Sequence, residues 1–114
     1  MNNVFDAEVI AGRGVVVTGN ICYPDRGDEI NEDSIIVIPH GGSDYHIPGM
    51  KCKAIITEIG NRLCHLAIVT REQGKPILKL SNAIKALKDT KRVWIRLPDF
   101  GGKGVIAEMA AEGE

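Results

Sequence analysis

The chain has 114 residues, of which 44% are apolar and 25% charged, and fourteen basic against fifteen acidic residues give a net charge of -1. These values are typical of a globular protein, the length fits a single domain over residues 1–114, and the balanced charge favours neither a nucleic-acid partner nor a membrane surface. No apolar run approaches the roughly 18 residues of a membrane span, and the N-terminus lacks a signal-peptide pattern, so we expect a cytoplasmic protein.

The first half of the chain predicts short strands joined by polar loops. Residues 8–24 predict one or two strands with a turn near Gly19-Asn20. Residues 34–39, "SIIVIP", place four aliphatic side chains in succession, which is typical of a strand buried on both faces. A loop rich in glycine follows, with one helical turn expected around residues 44–50. Residues 53–57, "KAIIT", predict a second short buried strand.

The second half predicts two helices alternating with strands. We expect a helix over 63–73, because Gly74 suits a C-terminal cap and Pro76 blocks continuation. Residues 76–80 predict a strand, and Ser81 or Asn82 would cap a helix through residue 88. Alternation in "RVWIRL", residues 92–97, predicts a half-exposed strand; a last short strand and a frayed tail over 108–114 follow. The fold class is therefore α/β, a sandwich or barrel.

The stretch "GNRLCHLAIVTREQGKP" draws attention to His65. A buried strand ends at Ile59 and a helix begins near His65, so the imidazole would lie beyond the carboxyl end of a strand, where open α/β sheets usually bind ligands. Free N–H groups at the helix start would favour an anion beside the ring. A histidine beside an anion site suits acceptance of a phosphoryl group, although a single histidine in this position more often caps or packs a helix.

Other chemistry is less well supported. His40, His46, Cys52, Cys64 and His65 are possible zinc ligands, but their spacing matches no paired-ligand pattern. Cys64 and His65 are adjacent and would point about 100° apart in a helix, which disfavours a thiol nucleophile with a histidine base. His40 and His46 are expected to be solvated loop histidines. Cys22 and Cys52 are expected to be free, mostly buried thiols, since three cysteines in no recognisable spacing indicate a reducing compartment.

The segment "AIITEIGNRLCHLAIVTREQGKPIL" resembles the signature of the phosphohistidine, or swivelling, domain of phosphoenolpyruvate-utilising enzymes. That group includes pyruvate phosphate dikinase, phosphoenolpyruvate synthase and Enzyme I of the sugar phosphotransferase system. Matches to the pattern are Ala54, Ile55, Ile56, Thr57, Gly60, His65, Ala67, Ile68, Val69, Arg71, Glu72, Gly74 and Pro76. The resemblance extends over about residues 10–107.

The resemblance implies a compact swivelling β/β/α domain with a small sheet or barrel-like core and short flanking helices. His65 would be the phospho-acceptor, supported at the phosphate by Gly60, Asn61, Arg62 and Cys64. Arg71 and Glu72 would hold the helix and loop. The domain itself would bind no cofactor and no metal. Phosphoenolpyruvate, or ATP with Mg²⁺, would be bound by separate nucleotide-binding or phosphoenolpyruvate-binding subunits or domains.

Two positions depart from the family pattern. Asn61 stands where the family commonly has a second glycine, and asparagine tolerates the left-handed backbone better than most residues. Cys64 replaces the usual serine or threonine before the histidine, and a thiol is a weaker hydrogen-bond donor than a hydroxyl. The chain also lacks an ATP-grasp domain and a phosphoenolpyruvate-binding barrel.

Three hypotheses follow. In the first, the chain is a stand-alone phosphoryl carrier, a component of a phosphotransferase that does not turn over alone. In the second, it is a non-catalytic binding or regulatory module that keeps the swivelling fold. In the third, it is a domain separated from a larger enzyme, with the same chemistry as the carrier.

Overall fold

Seven strands close into a barrel in a computed structural model that describes residues 3–100 and 102–109. The strands are β1 (Val4–Ala11), β2 (Val15–Cys22), β3 (Ser34–His40), β4 (Ala54–Ile59), β5 (Ile77–Lys79), β6 (Arg92–Leu97) and β7 (Lys103–Glu108). Three short helices flank them: α1 (His46–Lys51), α2 (His65–Val69) and α3 (Ala83–Ala86). The predicted fold class, a compact α/β domain with a barrel-like core, is confirmed. No helix in the described residues is long and apolar enough to cross a membrane.

Strand directions divide the barrel into two kinds of pairing. Around the barrel the order is β1-β5-β4-β3-β2-β6-β7. The strands β2, β3, β4 and β5 run parallel to their neighbours in this series, whereas β6, β7 and β1 pair antiparallel with each other and with the ends of the series. Parallel neighbours need crossover connections, and all three helices lie in these connections or in the one that follows β5.

The central strands are buried on both faces, as the aliphatic runs predict. In β3, Ile35 and Val37 pack with side chains of β6 and β7, while Ile36 and Ile38 pack beneath α1 and α2. All four are at most 2% exposed. The register pairs Ile36 with Ile55 of β4, so the same division continues across both strands. Two apolar layers therefore enclose β3 and β4 and fix the edge from which their C-terminal loops leave.

The predicted turn at Gly19-Asn20 is wrong. Strand β2 runs through both residues, and the chain reverses instead at Gly12 and Gly14, which have φ of +92° and +62°. Gly19 is required for another reason: a Cβ there would lie 2.7 Å from the carbonyl oxygen of Asp33. The Asn20 N–H donates to that oxygen at 2.9 Å, so the glycine allows a close approach between β2 and the segment before β3.

Both predicted helices are shorter than expected. The 63–73 segment forms α2 and then a separate 3₁₀ turn, Arg71–Gln73, although Gly74 does take the predicted left-handed cap conformation with φ of +66°. Helix α3 ends at Ala86, and Asn82 precedes it without a side-chain cap bond. The Glu58 Oε2 of β4 accepts from the Ile84 N–H at 3.0 Å and caps this helix from outside. A cap from a distant strand leaves no local sequence signal.

The last two strands agree with the predicted alternation. Val93, Ile95 and Leu97 of β6 are buried, whereas Trp94 is half-buried and Arg96 is exposed. The expected fraying at residue 108 is wrong, because Glu108 ends β7 and its carboxylate accepts from the Thr90 hydroxyl at 2.7 Å. That contact holds the pKa of the Glu108 carboxyl below its usual value. Met109 also makes a backbone hydrogen bond, from its N–H to the Arg92 carbonyl oxygen at 2.9 Å, and residues 110–114 of the expected tail lie outside the described residues.

Candidate functional site

Two histidines meet at one edge of the barrel. His46 begins α1 six positions after His40, the last residue of β3; His65 begins α2 six positions after Ile59, the last residue of β4. The strands are parallel and His40 pairs with Ile59, so both loops leave the same edge. The His46 Nδ1 lies 2.9 Å from the His65 Nε2, with the ring centroids 5.1 Å apart. This distance is that of a hydrogen bond between imidazoles.

When both rings are neutral, one proton lies in the contact between His46 Nδ1 and His65 Nε2. A neutral imidazole has one N–H donor and one acceptor nitrogen, so either His46 Nδ1 or His65 Nε2 is the donor. The choice fixes the tautomer of His65: a proton on Nε2 leaves the lone pair on Nδ1, and the reverse also holds. His65 is half-buried and His46 is exposed, so the pair is open to a reactant from solution.

The loop before α2 is built by Gly60 and Asn61. Gly60 has φ of +148°, a region that favours glycine. Asn61 does not need the left-handed backbone that we expected it to tolerate, because Asn82 is the one non-glycine residue with positive φ in the described part of the chain. Instead, Asn61 Oδ1 accepts from the Leu63 N–H at 2.8 Å, and its carbonyl accepts from the Cys64 N–H at 3.0 Å. Asn61 therefore closes the turn that presents His65.

Gly41 fixes the start of α2 from the neighbouring loop. Its carbonyl oxygen accepts from the Leu66 N–H at 2.9 Å, and a Cβ on Gly41 would lie 2.8 Å from the Cys64 Sγ. Cys64 occupies the N-cap position without a side-chain cap bond. The helix has only five residues, and the Leu66 N–H, one of its first, is already used, so fewer N–H groups are free here than at the start of a longer helix. An anion beside the His65 ring stays a prediction.

His40 and His46 do not lie in a loop as we expected, although His46 is exposed to solvent as predicted. His40 is the last residue of β3; its Nδ1 accepts from the Gly42 N–H at 3.1 Å, and its ring lies edge-on to Tyr45 with centroids 5.1 Å apart. The Tyr45 hydroxyl donates to Asp25 at 2.8 Å. Burial, with a smaller contribution from Asp25, raises the pKa of Tyr45 to about 12. These contacts hold the loop that carries His46.

All three cysteines are free thiols, as expected for Cys22 and Cys52, and they differ in environment. Cys52 is buried, and burial raises the pKa of its thiol to about 11, which makes it a poor nucleophile near neutral pH. Cys22 is half-buried, and its Sγ donates to the Ser34 hydroxyl at 3.3 Å. Within residues 3–100 and 102–109, no three His, Cys, Asp or Glu side chains form a cluster able to hold a metal ion.

The remaining candidate residues lie on the other side of the loop. The Arg71 Nη2 donates to the Arg62 carbonyl oxygen at 3.5 Å, which connects the 3₁₀ turn to the loop before α2. Both arginines line a pocket whose lining does not include His65, and Glu72 is exposed. A phosphate-supporting role for Arg62 and Cys64, and a holding role for Arg71 and Glu72, stay predictions.

Comparison with known families agrees with this architecture. The family model of the PEP-utilising enzyme mobile domain matches residues 30–97. PEP stands for phosphoenolpyruvate. The chain belongs to this family. A probable phosphoenolpyruvate synthase of Archaeoglobus fulgidus is 36% identical over 86 residues, which are 74% of this chain. Membership of the mobile-domain family supports a role related to phosphotransfer.

Two further comparisons limit what can be carried over. The chain spans 11% of the length of the archaeal synthase that it matches, so the activity of the whole synthase is not carried over to it. The solution NMR structure of a UPF0107 protein has a TM-score of 0.58 and covers 95% of this chain and 100% of its own, with 15% identity. This likeness is one of fold alone.

Sequence reasoning missed His46 and Gly41 as parts of the site. One signal was available: His46 and His65 follow the last residues of two buried strands by the same number of positions. Two parallel neighbouring strands place such residues side by side, but the sequence did not reveal that β3 and β4 are neighbours in register. The contact of Gly41 with Leu66 had no local signal.

Proposed function

We propose that this chain is a phosphoryl carrier in which His65 is transiently phosphorylated. It would pass the phosphoryl group between separate partner proteins or domains that bind phosphoenolpyruvate or ATP with Mg²⁺. The chain itself would bind neither a cofactor nor a metal, and it would act as a substrate of its partners within a phosphotransferase. Cytoplasmic location, and the absence of a nucleic-acid or membrane partner, belong to the same proposal.

The observation that carries the proposal is the position of His65. Its half-buried imidazole stands at the first residue of α2, beyond the carboxyl end of a buried strand, with Nε2 in a 2.9 Å contact to His46. The contact with His46 thus holds the His65 ring in a defined orientation, and the half-buried ring is still accessible from solution. Positioning of this kind is the main protein contribution to phosphoryl transfer, because the reaction needs in-line approach and charge stabilisation.

The transfer step forms one bond to phosphorus and breaks another. The unprotonated ring nitrogen of His65 supplies the electron pair for a new N–P bond, and the P–O bond of the donor breaks with its electrons on the leaving oxygen. Phosphoryl transfer to the acceptor reverses these roles. The second ring nitrogen carries the proton during attack, so the tautomer decides which nitrogen reacts.

His46 is a positioning residue in this proposal. If Nδ1 of His65 attacks, His46 keeps its contact with the protonated Nε2 and stabilises the positive charge that develops on the ring. If Nε2 attacks, His46 has to move aside, and its exposed ring at the first residue of α1 has room for that. In either case, removal of His46 would change the orientation and proton position of His65.

A second candidate is a binding or regulatory module without phosphotransfer. Two features favour it: the Leu66 N–H of α2 already donates to Gly41, and Cys64 offers a thiol, which is a weaker hydrogen-bond donor than the usual hydroxyl. Both reduce the donors available to a phosphoryl group beside His65. The two proposals differ in a direct way, since only the carrier requires a covalent phosphate on His65.

The test is to incubate the protein with an extract of its source organism and either phosphoenolpyruvate or ATP with Mg²⁺. We expect an intact-mass increase of one phosphoryl group that is acid-labile and base-stable, and that maps to His65. His65→Ala should abolish the label, while Arg96→Ala, which removes an exposed side chain of β6, is the control and should leave labelling unchanged. His46→Ala should slow labelling by about tenfold or more.

Phosphoramidate, a small-molecule donor, serves as a parallel arm without partners. Label on His65 from phosphoramidate but not from the extract would show that the His65 imidazole can be phosphorylated and that the extract supplies no donor partner. Absence of label from every donor, together with unchanged partner capture by His65→Ala, would exclude the carrier and support the binding module.

A further inference from the structure

A pocket lies on the side of α2 away from His65. It has a volume of about 450 Å³ and lies between the end of β1, the loop before α2, Ala67 and the 71–75 turn. Residues two positions apart on a helix point about 200° apart, so Ala67 and His65 face opposite ways. This volume is within the range of pockets that bind small molecules. The pocket is thus separate from the histidine pair.

Three cationic side chains line this pocket: Arg62, Arg71 and Lys75. Among residues 3–100 and 102–109, no Asp or Glu lines it, and none of the three cations forms an ion pair with a carboxylate there. The chain as a whole has a net charge of -1, so this concentration of positive charge is local. A concave site lined by one sign of charge attracts ligands of the other sign.

Lys75 differs from the two arginines because it is 9% exposed. Its Nζ donates to the Gly49 carbonyl oxygen at 2.6 Å, which uses one of the three N–H donors of an ammonium group. Gly49 belongs to α1 and is not part of the pocket lining, so the Lys75 ammonium group is held by α1 and is not a free donor for a ligand. The two arginines are exposed and offer planar donors that suit phosphate or carboxylate.

The pocket also has an apolar wall. Ile10, Ala67 and Leu63 contribute to the lining, and Leu63 is 78% exposed. A ligand that covers Leu63 would remove apolar surface from water, which contributes to affinity in proportion to the area. A bare inorganic anion could not use this wall.

We propose that this pocket binds a small organic anion, a monophosphate or carboxylate with a short apolar body. Arg62 and Arg71 hold the anionic group, Lys75 adds positive charge to the lining, and Leu63, Ile10 and Ala67 contact the apolar part. The proposal does not depend on phosphorylation of His65. Because Arg62 and Leu63 belong to the loop that leads directly to His65, an occupied pocket would also order that loop.

The test uses inorganic phosphate, ethyl phosphate and phenyl phosphate as probes of increasing apolar size. Binding is followed by amide chemical shifts of the ¹⁵N-labelled full chain. We expect saturable shifts centred on residues 10–12, 62–63 and 71–75, with affinity rising from phosphate to phenyl phosphate. Arg62→Gln combined with Arg71→Gln should weaken phenyl phosphate binding by about tenfold or more. Arg96→Gln, an exposed arginine on β6, is the matched control and should leave binding unchanged.

Two further variants separate the parts of the proposal. Leu63→Ser should remove most of the preference for phenyl phosphate over inorganic phosphate. His65→Ala should keep the pocket shifts, since the ring lies on the other side of α2. The proposal is overturned if shifts do not saturate, if they centre on residues 40–46, if the double arginine variant binds as the wild type does, or if all three probes bind equally.

Discussion

The two halves of the barrel differ in how far their side chains are buried. In β3, β4 and β5, three of the four strands of the parallel series, most side chains are buried, and all three histidines lie at the carboxyl end of β3 or in the helix starts that follow β3 and β4. In the antiparallel half, β1, β6 and β7, buried and exposed side chains largely alternate. Burial on both faces makes the parallel half a rigid base, so the crossover loops above it can hold reactive groups. The antiparallel half closes the barrel and presents an ordinary polar exterior.

The largest expected effect is on stability in the parallel half. Ile36→Ala, at a fully buried position of β3, should lower the free energy of unfolding by about 3 kcal/mol, because it leaves a cavity under α1 and α2. Val16→Ala on β2, where the side chain is 64% exposed, should change it by less than about 0.5 kcal/mol. Denaturant unfolding of the two variants measures the difference. Equal losses would contradict the contrast in burial.

A smaller effect is expected where the two halves are connected through α3. Glu58→Ala removes the acceptor for the Ile84 N–H and should cost about 1 kcal/mol of unfolding free energy, as loss of a helix cap usually does. Glu58→Gln keeps an acceptor oxygen and should cost less. Glu72→Ala, an exposed glutamate, is the control for loss of charge. Thermal unfolding of the three variants ranks them; a loss for Glu72→Ala as large as that for Glu58→Ala would argue against the cap.

The smallest expected effect is at the ionic cluster formed by Asp33 just before β3, Lys53 just before β4 and Arg92 at the start of β6. The Lys53 Nζ donates to Asp33 at 3.0 Å and Arg92 lies at 3.4 Å, and these contacts, Lys53 first, hold the pKa of the Asp33 carboxyl below its usual value. Because the pKa of Asp33 is lowered in the folded protein, the cluster stabilises the fold at pH values above the ordinary carboxyl pKa near 4. This stability is lost as the pH falls through the folded-state pKa.

Asp33→Asn should therefore flatten the acid side of the stability profile while changing stability little at high salt, where exposed pairs are screened. The pH dependence of the unfolding midpoint, with Asp6→Asn on β1 as control, measures this. A wild-type acid slope in Asp33→Asn would mean that the cluster does not couple to folding.

Part of the candidate site could be predicted from the sequence. The "SIIVIP" and "KAIIT" runs identify two buried strands, and the motif around His65 identifies the family and the loop before α2. His46 was misjudged, because its partner comes from a separate loop and the contact depends on the register of β3 with β4. The predicted helix over 63–73 was too long, because periodicity in the sequence shows neither the contact of Gly41 at the start of α2 nor the separate turn at Arg71–Gln73 after its end.

The sequence by itself determined the strands that are buried on both faces, the alternation in β6, the left-handed cap at Gly74 and the position of His65 at a helix start. Each of these depends on side chains close in the chain, where periodicity and backbone preference act directly. The tertiary structure alone decided the closed barrel, the His46–His65 pair, the capping of α3 by Glu58 and the pocket lined by Arg62, Arg71 and Lys75. These features join residues far apart in sequence, so they follow from strand order and register and not from any local pattern.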